Sequence, residues 1–148
     1  MGIKVRLAEL EEVYPLRSEV LRPGQPMSSC HYPEDDFDGV FHLVAENDNT
    51  IVGIGSFYPE ECVGIDSAAS YRLRGMATVS SIRGQGIGRN LLEEGIRQCR
   101  LRGAELLWCN ARTSAVPFYR KLNFDIKGEE FMIDSIGPHF LMVYRYES

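Results

Sequence analysis

Between Val79 and Asn90 the chain reads VSSIRGQGIGRN: an apolar, strand-like run stops in three alternating glycines and restarts as an amphipathic helix. Such a passage restricts what the chain can fold into. Glycine adopts positive φ and lets backbone approach a ligand closely. The free N–H groups at the start of the following helix, with the positive end of its dipole, hold anionic oxygens. Arg83 and Arg89 add positive charge. The spacing excludes two common phosphate loops. There is no G-K-[ST], and Gly84, Gly86 and Gly88 run G-x-G-x-G rather than G-x-G-x-x-G. From these residues alone the bend is either a phosphate cradle or a tight turn that serves only the chain path.

The flanking sequence supplies the remaining elements. Ile3–Ala8 alternates as a strand, with Ile3, Val5 and Leu7 on one side, and Glu9–Leu21 has helical spacing interrupted at Pro15. Arg22–Asp38, with three prolines, reads as a loop. Val40–Glu46 and Thr50–Phe57 flank Asn47-Asp48-Asn49 as a hairpin. After a second loop, Pro59–Ser70, come a strand over Tyr71–Val79 and a helix over Gly86–Arg102 that ends at Gly103. Glu105–Ala111 is a short buried strand with Trp108 in the sheet core. Thr113–Leu122 is a helix capped by Ser114 with Pro117 in its first turn. Phe124–Asp134 and His139–Tyr146 close the chain as strands. Phe140, Met142, Tyr144 and Tyr146 share one face of the last, a candidate homodimer surface. The order β-α-β-β-β-α-β-α-β-β is an α/β fold (α+β mixed sheet) of about seven strands flanked by helices, in one domain spanning 1–148.

Charge is uneven. Residues 1–70 carry 4 basic and 13 acidic side chains, a balance of −9, and the rest of the chain carries +4. A basic half suits an anionic ligand and an acidic half a cationic one. No Lys/Arg run is interleaved with aromatics, so nucleic acid is not an expected partner. No apolar run is long enough for a membrane span or a signal peptide, which leads to the expectation of a cytoplasmic protein. Cys30, Cys62, Cys99 and Cys109 show no metal-binding spacing, and they are expected as reduced, mostly buried thiols with no metal bound.

Arg83-Gly84-Gln85-Gly86-Ile87-Gly88 resembles the Q/R-x-x-G-x-G/A motif of the GNAT superfamily of acetyl-CoA-dependent N-acetyltransferases. Met76-Ala77-Thr78 precedes it where that family has its L-A-V strand end, and Ala115–Phe124 (AVPFYRKLNF) resembles its A-x-x-F-Y-x-k-x-G-F helix. The resemblance is strong over Tyr71–Phe124. It implies a sheet splayed between its fourth and fifth strands, with acetyl-CoA as co-substrate in the cleft and a small-molecule or peptide amine as acceptor. It further implies that backbone from Gly84 to Arg89 holds the pyrophosphate, and that Ala77, Thr78 and Val79 pair with the pantetheine arm. The Val79 N–H would polarise the thioester carbonyl, and Tyr119 would protonate the departing thiolate.

The sequence departs from the family pattern in three places. Arg72 stands where some members carry a basic Glu, which leaves His31, Glu34, Asp35, Asp36 and His139 as candidate bases. Arg112 stands where many have Asn, with Asn110 two residues earlier, and both are kept as candidate CoA contacts. Asn123 replaces the usual Gly, a change the left-handed region tolerates. A non-catalytic CoA sensor or partner-binding module on the same fold is the alternative. A domain binding another phosphate ligand through the glycines is a third reading.

Overall fold

A computed structural model of the protein describes residues 3–21, 23–26, 30–65, 69–79 and 86–147. Its strands are β1 (Ile3–Ala8), β2 (Phe41–Asn47), β3 (Thr50–Pro59), β4 (Ser70–Thr78), β5 (Leu106–Arg112), β6 (Asp125–Ile133) and β7 (Gly137–Arg145). The helices are α1 (Leu10–Leu16), α2 (Ile87–Leu101) and α3 (Val116–Lys121). The seven strands form one sheet in the order β1-β2-β3-β4-β5-β7-β6. Every neighbouring pair is antiparallel except β4 with β5. This is the expected mixed sheet in the expected element order. Among the described residues no helix is long and apolar enough to cross a membrane.

The two faces of the sheet are covered by different helices. On one face Leu91, Leu92 and Cys99 of α2 meet Phe41, Leu43, Phe57, Leu73 and Leu107. On the other, Val13 and Leu16 of α1 bury against Val44, Ile54 and Ala77. Trp108 is buried on this second face near Cys62 and Val143, as expected of a sheet-core residue, and its Nε1–H donates to the Glu60 carbonyl at 2.9 Å. All four cysteines are buried free thiols. The β2–β3 hairpin turns on Asp48 and Asn49, both at positive φ (52° and 67°), which short polar side chains tolerate.

α2 approaches β3 so closely that Gly95 has no room for a side chain. A Cβ there would stand 2.1 Å from Cζ of Phe57, whose fully buried ring stacks on Phe41 at 4.8 Å and has nowhere to move. Gly95→Ala is therefore expected to destabilise the fold by about 1–3 kcal/mol through overpacking, although alanine is the better helix former. Urea denaturation checks this, and an unchanged midpoint would show that the helix can lift off the ring.

Several expectations are corrected. The helix expected over Glu9–Leu21 is α-helical only to Leu16 and widens into a π turn over Arg17–Leu21. Pro15 lacks the N–H that would bond back and its ring crowds the preceding turn. Ser114 does not cap α3: Thr113–Ala115 forms a 3-10 turn, and Ala115 precedes the helix. Part of the apolar face of β7 is used within the chain. Met142 is buried, Tyr144 packs on Phe124 at 5.6 Å, and the Tyr146 hydroxyl donates to the Ile96 carbonyl of α2 at 2.7 Å.

Candidate active site

The fold opens where the parallel pair β4–β5 ends. β4 and β5 pair through Ser70–Leu106, Tyr71–Leu107 and Arg72–Trp108, and no further. Beyond that rung β4 stays with β3 up to Thr78, while β5 stays with β7 up to Arg112. The strands therefore diverge, which is the splay that the family resemblance implies. The β3–β4 register shifts between Ile54 and Ser56, opposite Gly75, whose φ of +64° suits glycine. This bulge turns β4 away from β5 just past the last shared rung.

At the far end of β4 the chain enters α2. Arg83, Gly84 and Gln85 lie outside the described residues, so the first half of the glycine bend is not part of the structural account. Gly86 is the N-cap of α2 in the left-handed region (φ +79°), and its carbonyl accepts from the Asn90 N–H at 3.0 Å. No acidic side chain occupies the first turn of this 15-residue helix, so the helix itself does not neutralise its positive end. Gly88 is not demanded by packing, because a Cβ there would meet Phe118 at an ordinary 3.5 Å. The Ile87 side chain is buried in the core, which leaves its backbone as its contribution to a ligand. Arg89 is exposed and pairs with Glu93 at 3.4 Å.

Tyr119 comes to the opening from the α2 side. Its ring packs on Phe118 (5.1 Å) and Phe124 (5.4 Å), and its hydroxyl interacts electrostatically with the Cys109 thiol. Cys109 is the first β5 residue past the last shared rung, so the hydroxyl sits at the apex of the splay. Burial, with Cys109 adding to it, raises the phenol well above its ordinary value. Tyr119 thus stays protonated, so it can donate a proton or hydrogen bond to a ligand but does not start as a base. Asn110 is half-buried farther along β5, and Arg112 is exposed at its end.

Val79 corrects one expectation. Its N–H donates to the Val52 carbonyl at 3.0 Å. That amide points into the β3 ladder rather than into the opening. Backbone groups alternate between the two edges of a strand, and the Gly75 bulge sets which ones face the opening.

The candidate bases separate on geometry. Asp35 is excluded. It is buried beneath the sheet, where it accepts from Arg17 (2.7 and 3.2 Å), the Tyr58 hydroxyl (2.6 Å) and the Tyr32 N–H (2.8 Å). Burial alone would raise its pKa, but these donors outweigh it and hold the carboxyl below its ordinary value. His31 and Asp36 pair with each other at 3.0 Å at the surface. His139 is buried on β7 with Nδ1 2.8 Å from the Gly137 carbonyl and its ring against Phe131. Glu34 is tied to the splay itself, accepting from Arg74 of β4 at 3.0 Å. Arg72, at the last shared rung, stacks on Trp108 (4.8 Å) and pairs with Glu60 (3.0 Å).

Sequence reasoning missed Arg17, Tyr32, Tyr58 and Arg74, which pack together on the α1 side of the sheet near the start of the splay. Arg17 did carry a signal: it occupies a core position of the helical stripe Val13, Tyr14, Arg17, Val20, Leu21. A charged residue at a core position needs a buried partner.

A mixed sheet splayed beyond its one parallel pair, with a helix N-terminus at one arm and a protonated phenol at the apex, defines an N-acetyltransferase. Residues 8–124 match the model of the acetyltransferase (GNAT) family, and the chain belongs to that family. It is 37% identical over 140 residues to the uncharacterized N-acetyltransferase YitI of Bacillus subtilis, covering 95% of this chain and 94% of the relative. The fold is shared with an acyl-CoA N-acyltransferase from Pseudomonas aeruginosa (TM-score 0.74, 19% identity, 96% and 99% of the two chains). It is also shared with a chain of the NatC complex bound to Gag peptide and CoA (TM-score 0.78, 13% identity, 99% and 100%).

Proposed function

We propose that the protein transfers an acetyl group from acetyl-CoA directly to a primary amine, with both reactants held together in the β4–β5 opening. The observation that carries this reading is the Tyr119 hydroxyl at the apex of an opening that leads to the N-terminal, positive end of α2. These features suit the donor: the helix N-terminus suits a diphosphate, and the diverging edge of β4 suits the amides of an extended arm. Acetyl-CoA supplies the activated acyl group as a thioester.

The residues then divide the work. The amine nitrogen forms a bond to the acyl carbon as the carbon–sulfur bond breaks, and the proton that the nitrogen sheds on becoming an amide ends on the released sulfur as free CoA thiol. Backbone on the β5 edge of β4 hydrogen-bonds the carbonyl oxygen, and Tyr119 donates to the departing sulfur. Its raised pKa favours a hydrogen bond to the thiolate over complete proton transfer, since a thiol near 8.5 is the stronger acid. An alkylammonium with a pKa of about 10 needs about 4 kcal/mol to lose its proton at pH 7. Glu34, beside Arg74 on the α1 side, is the carboxylate that receives this proton or holds the ammonium. Alignment of the two reactants contributes much of the remaining rate.

Direct transfer is supported by the state of the thiols. Cys99 and Cys109 are pushed up to about 12 by burial, and Cys62 is also raised, which leaves little thiolate to form an acetyl-enzyme. The same reading makes the protein cytoplasmic, where free thiols stay reduced.

The test is acetyl-CoA with a panel of amines (spermidine, lysine, benzylamine and a short peptide), read by thiol release and initial-rate kinetics. Turnover with intersecting lines is expected. An isolable acetyl-cysteine would overturn direct transfer. Thermal stabilisation by acetyl-CoA with no turnover on any amine would make the protein a CoA-binding module. Acetyl-CoA at 100 times Kd should stabilise the fold by about 2.7 kcal/mol, enough to detect easily.

A further inference from the structure

Beneath the splay, on the α1 side, lies a buried ionic cluster to which acyl transfer assigns no step. Arg17, the first residue of the π turn, is fully buried. It donates to the Cys30 carbonyl (2.7 Å), both oxygens of Asp35 (2.7 and 3.2 Å), Ser56 Oγ (2.9 Å) and the Tyr58 hydroxyl (2.8 Å). Its guanidinium lies 4.1 Å from the centre of the Tyr32 ring, and that of Arg74 lies 4.5 Å from the same ring.

Two anchors of this cluster lie opposite the start of the opening. Ser56 and Tyr58 are the β3 partners of Arg74 and Arg72, so they flank the last shared rung and the first residues of the splay. At Gly75 a Cβ would stand 3.5 Å from Arg17 Nε and 3.8 Å from the Tyr32 hydroxyl, so the cluster packs directly under the bulge. The 3-10 turn Pro33–Asp36 offers Asp35 inward to Arg17 and Glu34 outward to Arg74. One buried pair therefore fixes both the strand that lines the opening and the turn that carries Glu34. For stability alone, apolar residues of similar volume serve as well as a buried ion pair or better.

We propose that the Arg17–Asp35 pair is a positioning element for acyl transfer: through Tyr32, Gly75 and the Pro33–Asp36 turn it sets where β4 leaves β5 and where Glu34 stands. It touches no reactant and acts through those groups. The kinetic part of this inference rests on the transferase reading above.

The test uses Asp35→Asn and the milder Tyr58→Phe, which removes one hydroxyl that bonds to both Arg17 and Asp35. Each is assayed well below its melting temperature with the best amine of the panel, and CoA affinity is measured by calorimetry. A misplacement of the order of 1 Å should lower kcat by about 10- to 100-fold, with CoA affinity unchanged. In parallel, hydrogen exchange should speed up at the amides of residues 73–78 but not in β2. A wild-type kcat in folded Tyr58→Phe overturns the proposal, however far its melting temperature falls. If the wild type binds CoA but acetylates nothing, the transferase reading fails instead. The exchange data then decide alone, and unchanged protection at residues 73–78 in both variants overturns the positioning role.

Discussion

Tyr119→Phe is expected to lower kcat by about 10²- to 10⁴-fold while leaving the KM for acetyl-CoA near its wild-type value. The phenol is the only polar part of that side chain, and its hydroxyl stands with Cys109 at the apex of the splay. The phenylalanine ring would keep the packing on Phe118 and Phe124, so the melting temperature should barely move. Because burial and Cys109 raise the phenol well above its ordinary value, Tyr119 should not produce a falling alkaline limb in the wild-type kcat profile below about pH 10. A fall in activity carried by KM with kcat preserved would mean that the hydroxyl only shapes the pocket. An alkaline limb near neutrality, lost in Tyr119→Phe, would mean that the phenol is less buried than its surroundings indicate.

What the sequence discloses about this fold follows from how local each feature is. The glycine bend, the Asp48-Asn49 turn and the stop at Gly103 need only a few adjacent residues, and each is present where the described residues include it. The splay is legible only through family resemblance, because no periodicity reveals where two strands stop pairing. The Val79 expectation failed for a related reason. Which amides of β4 face the opening depends on the phase of alternation, and the bulge opposite Gly55 shifts that phase by one residue. Tyr119 was singled out by its motif, but its interaction with the Cys109 thiol links two elements that no local pattern relates. Asp35 shows the converse. In the acidic run Glu34–Asp38 it reads as one solvated carboxylate among several, and only the three-dimensional partner Arg17 makes it a buried structural anion.

That partnership leads to the largest expected effect on stability. Arg17→Met should destabilise the protein by about 3–5 kcal/mol at neutral pH, a large share of the roughly 5–15 kcal/mol that holds a domain together. The loss arises less from the missing attraction than from the carboxylate left behind, still buried and facing only the Tyr58 hydroxyl and the Tyr32 N–H. The pH dependence should reverse with it. In the wild type the Asp35 carboxyl is held below its ordinary value, so its contribution is full above the unfolded value near 3.9 and fades as pH falls through the folded one. In Arg17→Met the uncompensated carboxyl should titrate above its unfolded value, so lowering the pH from 7 to about 5 should narrow the gap to the wild type. Urea denaturation at the two pH values reads this directly, and a gap that stays constant or widens on acidification would show that the carboxylate had found solvent. The double variant Arg17→Met/Asp35→Leu removes both charges and should recover much of the lost stability. If the pair also positions β4, that recovered protein should remain slow, since an apolar plug beneath Gly75 restores packing without restoring the bonds to Ser56, Tyr58 and the Pro33–Asp36 turn.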